Sequence, residues 1–346
     1  MQIKRKILLL IVCFVSGVLA VSGLYAIAIF KKNKSNSFIR QLPSHIIEGQ
    51  NSVDLTDNRF YFIGPRDHQI LFGRFDRYDQ VLAVDEGLKS KLENIKSDRN
   101  FKINQGALFA SDSANLYFAD GISGIVRYGI LTELLLNKKI NSPYFSAYIP
   151  ISNNSFILRC TTKERENVLV KSVIRPNTLS EHPELLQKQI DGLFCTDGAL
   201  IKVPNSKWIF YIYYYRNQFI CADTNLNLKY RGKTIDTNAH AKIKVSEIKS
   251  MKQIELSSPP EYVNLRATAN RRYLFIQSAL RADNELEQVH KYNAAIDVYA
   301  IKDGKYQFSF YLPNFLGQKL SDFKVYDNHL FALYGSYLYK YKLNFK

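Results

Sequence analysis

The chain has 346 residues, 46% of them hydrophobic, with 23 Tyr and 22 Phe, and a formal net charge of +16. That balance excludes a disordered chain, which needs low hydrophobicity and few aromatics. Seven basic side chains and no acidic one fall in residues 1–47, so the rest carries +9 spread over a long stretch. This lacks the clustered basic face and aromatic platforms that a nucleic-acid surface requires.

The first forty or so residues do not read as globular. Ile7 to Phe30 are 24 residues without a charge. As a helix they rise roughly 36 Å, enough to cross a hydrocarbon core of about 30 Å with some tilt. Lys4-Arg5-Lys6 and Lys31-Lys32-Asn33-Lys34 bracket the stretch, and their ammonium groups can reach the two interfaces. A cleavable signal peptide is the competing reading. Its apolar core runs to about 7–15 residues and ends in a small-residue site, whereas Ala20-Val21-Ser22 lies inside this longer core. Residues 1–6 are therefore read as a basic tail, 7–30 as a transmembrane signal anchor and 31–41 as a basic stalk. Basic residues balance across the span, so the positive-inside rule does not orient it. A short tail ahead of a long domain places the C-terminal domain outside the cytoplasm, periplasmic or extracellular. The basic surface suits anionic lipid nearby.

Residues 42–346 have the length to bury roughly three quarters of their unfolded surface. Tyr and Phe favour half-buried pleated sheet, so the domain is predicted to be all-β. One pattern recurs along it: a short strand-like run, a turn with Asn, then a compact aromatic and aliphatic run. Two examples are Ala107-Leu-Phe-Ala-Ser-Asp-Ser-Ala-Asn115-Leu-Tyr-Phe118 and Val263-Asn-Leu-Arg-Ala-Thr-Ala-Asn270-Arg-Arg-Tyr-Leu-Phe275. The turn asparagines are Asn58, Asn115, Asn154, Asn205, Asn270 and Asn328, spaced by 57, 39, 51, 65 and 58 residues. Asn suits such a turn because its side chain bonds nearby backbone and it tolerates left-handed conformations. Further tight turns are expected after Phe118-Ala-Asp-Gly121 and at Asp303-Gly304. Units of about 50 residues with four strands each are the signature of a β-propeller. Six units fill residues 42–346, with seven blades the alternative that the uneven spacing leaves open; a pair of β-sandwiches gives no reason for the repetition.

Three stretches show helix-like spacing: Gly87–Ser97, with Leu88, Leu92 and Ile95 on one side, Ile130–Lys139, and Ser180–Ile190 with a Pro in its first turn. A propeller must also close its ring, commonly by an N-terminal strand joining the last blade. Ser37–Pro43 is the expected closing strand, which would set the anchor beside that blade.

Little of the chemistry that marks an enzyme is present. Cys13 lies in the apolar span, leaving Cys160, Cys195 and Cys221; no Cys or His spacing fits zinc. Cys195 and Cys221 flank adjacent predicted strands and pair in an oxidising compartment, or else remain buried thiols. Asp67-His68 reads as a solvated hairpin tip. Asp283, Glu285, Glu287 and His290 read as a charged hairpin loop within Arg281–Lys291, with a metal site the less favoured alternative. No nucleophile elbow, phosphate loop or dinucleotide fingerprint occurs. The arginines at strand ends, Arg66, Arg127, Arg159, Arg216, Arg266, Arg271 and Arg272, read as surface residues. The alternative is an anion-accepting channel or face, since arginine pairs carboxylates in a planar fork.

The six-unit pattern resembles the TolB-like and NHL-like six-bladed propellers. The segments Gly232-Lys-Thr-Ile-Asp-Thr237, Ser257-Ser-Pro-Pro260, Val263-Asn264, Ile296-Asp-Val-Tyr299 and Tyr306–Tyr311 are similar to membrane-anchored propellers of Bacteroidetes-type bacteria. The resemblance implies the fold and a cell-envelope setting; it implies no catalytic, cofactor or metal residues. The function expected is a non-catalytic, membrane-anchored propeller binding an envelope protein or another ligand. The alternative is an enzyme at the channel mouth, of lactonase, lyase or quinoprotein type.

Overall fold

The computed structural model describes residues 2–32, 36–95, 104, 106–112, 115–129, 136–139, 144–248 and 253–345. Helix α1 (Gln2–Lys32) precedes the domain. Its described apolar side chains, Ile7 and those from Leu9 to Tyr25, are largely exposed. The unbroken run 9–25 rises about 25 Å, and no helix among the described residues is long and apolar enough to cross a membrane.

The rest is a ring of four-stranded antiparallel sheets. Blade 1 is β2 (Phe60–Arg66), β3 (Gln69–Arg74), β4 (Arg77–Asp85) and β5 (Ser90–Asn94). Blade 2 is β6 (Leu108–Ser111), β7 (Leu116–Asp120), β8 (Ile125–Gly129) and β9 (Leu136–Lys139). Blade 3 is β10 (Phe145–Ser152), β11 (Ser155–Thr161), β12 (Asn167–Val173) and β13 (Thr178–His182). Blade 4 is β14 (Gly198–Lys202), β15 (Trp208–Tyr213), β16 (Gln218–Asp223) and β17 (Leu228–Lys233), followed by a hairpin of β18 (Val245–Ile248) and β19 (Gln253–Leu256). Blade 5 is β20 (Asn264–Ala269), β21 (Tyr273–Ser278), β22 (Asn293–Ala300) and β23 (Tyr306–Pro313), with helix α2 (Glu287–Tyr292) between its second and third strands. Blade 6 joins β24 (Asp322–Tyr326), β25 (His329–Tyr334) and β26 (Tyr337–Leu343) to β1 (Ile47–Asp54) from the start of the domain.

The expected six blades are present, and the reason lies in how the strands are covered. Successive side chains of a strand point to opposite faces, and here each face meets a different neighbouring blade. Tyr61 and Ile63 pack with Phe109 and Phe118 of blade 2, while Phe62 and Phe72 pack with Phe331 and Leu333 of blade 6. In blade 4, Ile209 and Tyr211 face blade 3 while Phe210 and Ile212 face blade 5. Burial on both faces turns alternation into a continuous apolar run. That is why Trp208-Ile-Phe-Tyr-Ile-Tyr213 and Tyr273-Leu-Phe-Ile276 are apolar or aromatic at every position.

Several sequence expectations need correction. The ring closes through an N-terminal strand on the last blade, as expected, but that strand is β1, registered Ile47 to Leu343 through Asp54 to Tyr337. Residues 37–43 instead lie outside the sheets. Of Gly87–Ser97, residues 87–95 are not a helix: Leu88 sits in a turn at φ +62 and Ser90–Asn94 is the outermost strand β5, while 96 and 97 lie outside the described residues. Ser180–Ile190 begins in the outermost strand β13 and continues as turns. Of Ile130–Lys139, residues 136–139 are the outermost strand β9 and 130–135 lie outside the described residues. Outermost strands face solvent on their free side and so carry polar residues, which breaks the all-apolar pattern of the inner strands and mimics helical spacing. Among the described residues of the domain the one α-helix, α2, overlaps the end of Arg281–Lys291, read above as a hairpin loop. Five of the six turn asparagines lie between the first two strands of a blade; Asn58 instead lies on the path from β1 into blade 1.

The cysteines are free. Cys195 and Cys221 belong to different clusters, Cys195 with Tyr215, Ala241 and Ile243, and Cys221 between Phe210 and Phe219. The Cys195 Sγ donates to the Asp191 carbonyl oxygen at 2.6 Å. Burial pushes the Cys160 thiol up to about 12 and the Cys221 thiol up to about 11, which leaves almost no thiolate to react at neutral pH. A maleimide added to the folded chain in detergent is expected to spare Cys160, Cys195 and Cys221 until denaturant is added. Labelling of Cys160 or Cys221 in the folded state would contradict this packing.

Candidate functional site

Because each blade meanders, its turns sort to the two ends of the axis. Turns between second and third strands, and the connections between blades, lie at one end, here termed the mouth face. Turns within the first and last strand pairs lie at the other. The mouth-face loops of blades 3, 4 and 5 carry the polar groups of interest.

The sequence Tyr213-Tyr214-Tyr215-Arg216-Asn217 turns from β15 to β16 and is held from every side. Asn264 donates through Nδ2 to the carbonyls of Tyr213 (2.8 Å) and Arg216 (3.1 Å). Asn217 donates through Nδ2 to the Asp236 carbonyl at 2.6 Å. The Asp236 carboxylate accepts from Thr234 Oγ1 at 2.6 Å and from the Asn238 amide at 2.8 Å. Residues 234–238 and Val263-Asn264 therefore serve to fix this turn.

Arg216 is 0% exposed. Its guanidinium lies 3.7 Å from the Tyr213 ring centroid, and Nη2 donates to the Gln187 carbonyl at 2.6 Å. Nε and Nη1 are buried without a hydrogen-bond partner, and no acidic side chain pairs with Arg216 among the described residues. With Gln187, Lys188, Gln189 and Gln218 it borders a cavity of about 380 Å³. Gln189 is fixed by the Ala239 carbonyl and the Ala241 amide, each at 2.8 Å. The Lys188 ammonium pairs with Glu166.

Nearer the axis, Arg159 pairs with Asp197 and donates to the Gly198 carbonyl (2.9 Å), the Tyr211 hydroxyl (3.2 Å) and Ser146 Oγ (2.8 Å). Tyr214 lies within electrostatic reach of Asp197, Arg159, Tyr262 and Arg266. Burial first, and the Asp197 carboxylate next, push its phenol above the ordinary value. Tyr214 therefore stays neutral, able to donate and accept. Tyr214, Tyr215 and Tyr262 form an aromatic group with centroids 5.0 to 6.3 Å apart.

Of the arginines singled out from the sequence, the fold brings Arg159, Arg216 and Arg266 to the mouth face. Arg66, Arg271 and Arg272 are at the other end, Arg66 paired with Glu93. Arg127 is buried in β8. His68 is exposed at a hairpin tip, 3.1 Å from Glu86. Asp283, Glu285, Glu287 and His290 do not form a metal site: among the described residues no group of three His, Cys, Asp or Glu could hold an ion. Glu285 instead serves a buried clamp on the N-terminal segment. Arg40, 3% exposed, donates to Glu285 Oε2 (2.7 Å) and to both oxygens of Asp297 (2.7 and 3.2 Å). Sequence reasoning gave Arg40 no role, because its partners are more than 240 residues away; the sole hint is a lone Arg between Ile39 and Leu42 in an otherwise polar stretch.

No protein-family model matches the chain, and no curated protein matches it in sequence. Solved structures do match in shape. A member of the DUF4221 family from Bacteroides vulgatus aligns with TM-score 0.54 at 11% identity, over 88% of this chain and 99% of that one. A catalytically inactive virginiamycin B lyase from Staphylococcus aureus aligns at 0.49 and 9% identity, over 86% of this chain and 100% of that one. A Bacteroides fragilis protein thought to be exported aligns at 0.49 and 8% identity, over 89% and 95%. Likeness at such identity is a likeness of fold.

Proposed function

We propose that the protein is a non-catalytic binding propeller of the cell envelope, tethered to a membrane by α1, whose mouth face takes an anionic group of an envelope molecule at Arg216. The tether is supported by the uncharged Ile7–Phe30 run between two basic clusters and by its exposed apolar side chains. A helix of this sequence left in water would expose about twenty apolar residues, a state the hydrophobic effect opposes strongly. The observation that carries the binding reading is the Arg216 guanidinium, buried with two unsatisfied nitrogens at the border of an open cavity. A buried cation without a counter-charge is costly, and a carboxylate or phosphate oxygen seated above it would supply both the charge and the missing acceptors. The neighbouring glutamines suit hydroxyl or amide groups on the same ligand.

The test is thermal unfolding of the full chain in detergent with N-acetylglutamate, glucuronate or glycerol phosphate, which separate peptide, sugar-acid and phosphate sources. The matching ligand at a hundred times its Kd is expected to add about 2.7 kcal/mol. Arg216→Met should keep or raise the stability of the free protein and abolish the ligand's effect. No stabilisation by any of the three, or stabilisation that persists in Arg216→Met, would sink the reading.

A further inference from the structure

Apart from Leu92, Leu179 and Leu228 on the outermost strands and Ile39 and Leu42 in the N-terminal segment, the large apolar side chains left exposed on the described propeller gather at one end. Phe75 and Ile122 occupy turns between the second and third strands of blades 1 and 2. Tyr144, Ile190 and Leu316 lie on the connections into blades 3, 4 and 6, and Leu286 precedes α2 in blade 5. These six are 52% to 74% exposed, and all belong to the mouth face, distributed around the ring. The hairpin tips of the opposite face hold none among the described residues. Single exposed apolar residues are ordinary on a soluble surface; the gathering of these six, with Tyr262 and Tyr292, on the loops of one face is not.

The N-terminal segment leaves from the same face. The Asn36 amide donates to Asp283 Oδ1 at 2.9 Å, its Nδ2 to the Arg281 carbonyl at 2.7 Å, and its carbonyl accepts from Thr237 Oγ1 at 2.9 Å. All three partners sit on mouth-face loops of blades 4 and 5. From Asn36 the chain passes Arg40 and its buried carboxylates, so this point of departure is fixed. Lys32, the last residue of α1, is four residues from Asn36 and so at most about 14 Å away.

We propose that the mouth face rests on the surface of the bilayer that α1 enters, with these aromatic and aliphatic side chains seated at headgroup level. The proposal rests on the membrane-tethered reading above. A tether this short holds one face close to the lipid, and the exposed side chains are of the kind that settles at a membrane interface. Charge on this face is mixed, with Asp57, Asp76 and Glu184 beside Arg59, Lys163 and Lys188, so the attachment is apolar and insensitive to salt. Any anion reaching Arg216 is then one carried at the membrane surface.

The test uses the full chain reconstituted in zwitterionic phosphatidylcholine vesicles, with a benzophenone amino acid placed at Ile122 or Leu316, or at Asn154 or Asp327 on the opposite face. After irradiation, lipid adducts at the first pair are expected to exceed those at the second at least fivefold, in low and high salt alike. Equal labelling of the two faces, or adducts to a second copy of the chain instead of lipid, overturns the proposal while the tether stands. A chain that does not float with the vesicles overturns the tether and the proposal together.

Discussion

Replacing Arg40 by alanine is expected to lower the unfolding free energy by about 3–5 kcal/mol, the cost of breaking a buried ion pair by removing one partner. The side chains of Arg40 and Glu285 are fully buried, and that of Asp297 is 3% exposed. Burial alone would drive the Arg40 guanidinium down, but Asp297 and then Glu285 overcome it and hold it above its ordinary value. Both carboxylates are further held by neighbours: Ser309 Oγ donates to Asp297 at 2.6 Å, and Glu285 accepts from the Tyr311 hydroxyl at 2.5 Å and from the Ala282 amide at 2.7 Å. Those donors cannot replace a lost positive charge, so the variant keeps two like charges in blade 5. Denaturant melts of Arg40→Ala measure the loss. The triple variant Arg40→Met, Glu285→Gln, Asp297→Asn should recover most of it, because the charges leave together. A melt of Arg40→Ala within 1 kcal/mol of the parent would show that the clamp is not buried in solution.

The second large effect concerns the ring. A chain beginning at Thr56 lacks both β1 and Leu55, and is expected to lose its cooperative unfolding transition altogether. Its loss would be comparable to the whole stability of an ordinary domain, about 5–15 kcal/mol. Without β1, the edge of β26 is unpaired from Tyr337 to Leu343, and an open apolar edge of that kind recruits other chains. Leu55 and Val53 also leave the core that joins blade 6 to blade 1, where Leu338, Phe331 and Phe72 meet. A chain beginning at Asn36 keeps β1 and the clamp and should melt as the parent does. Circular dichroism and light scattering distinguish the two; a soluble, cooperative chain from Thr56 would show that closure by β1 is dispensable.

The sequence by itself determined the repeat. Six strand–turn–strand units, each with an apolar run too short for a helix, leave few ways to bury their faces other than against one another in a ring. The Asp303-Gly304 and Gly121 turns were equally legible, because turn chemistry is local: Gly304 takes φ +70 as such a turn requires. The apolar character of Ile7–Phe30 was also plain, since it depends on composition alone.

What the sequence left open depends on contacts between distant residues. The outermost strands β5 and β13 looked helical because hydrogen bonds to a neighbouring strand, not their own side-chain pattern, fix them. The closing strand was placed some ten residues early, because Ile47-Glu-Gly-Gln-Asn-Ser-Val-Asp54 is polar at nearly every position and is held by the β26 edge. Arg40 and Arg216 were indistinguishable from surface arginines in the sequence; only tertiary structure gave one two carboxylates and left the other none. The difference is electrostatic. A guanidinium's surroundings in a low-dielectric interior decide whether it clamps the fold or waits for an anion; for Arg40 those are carboxylates more than 240 residues away, and for Arg216 a turn and a connection that the fold folds over it.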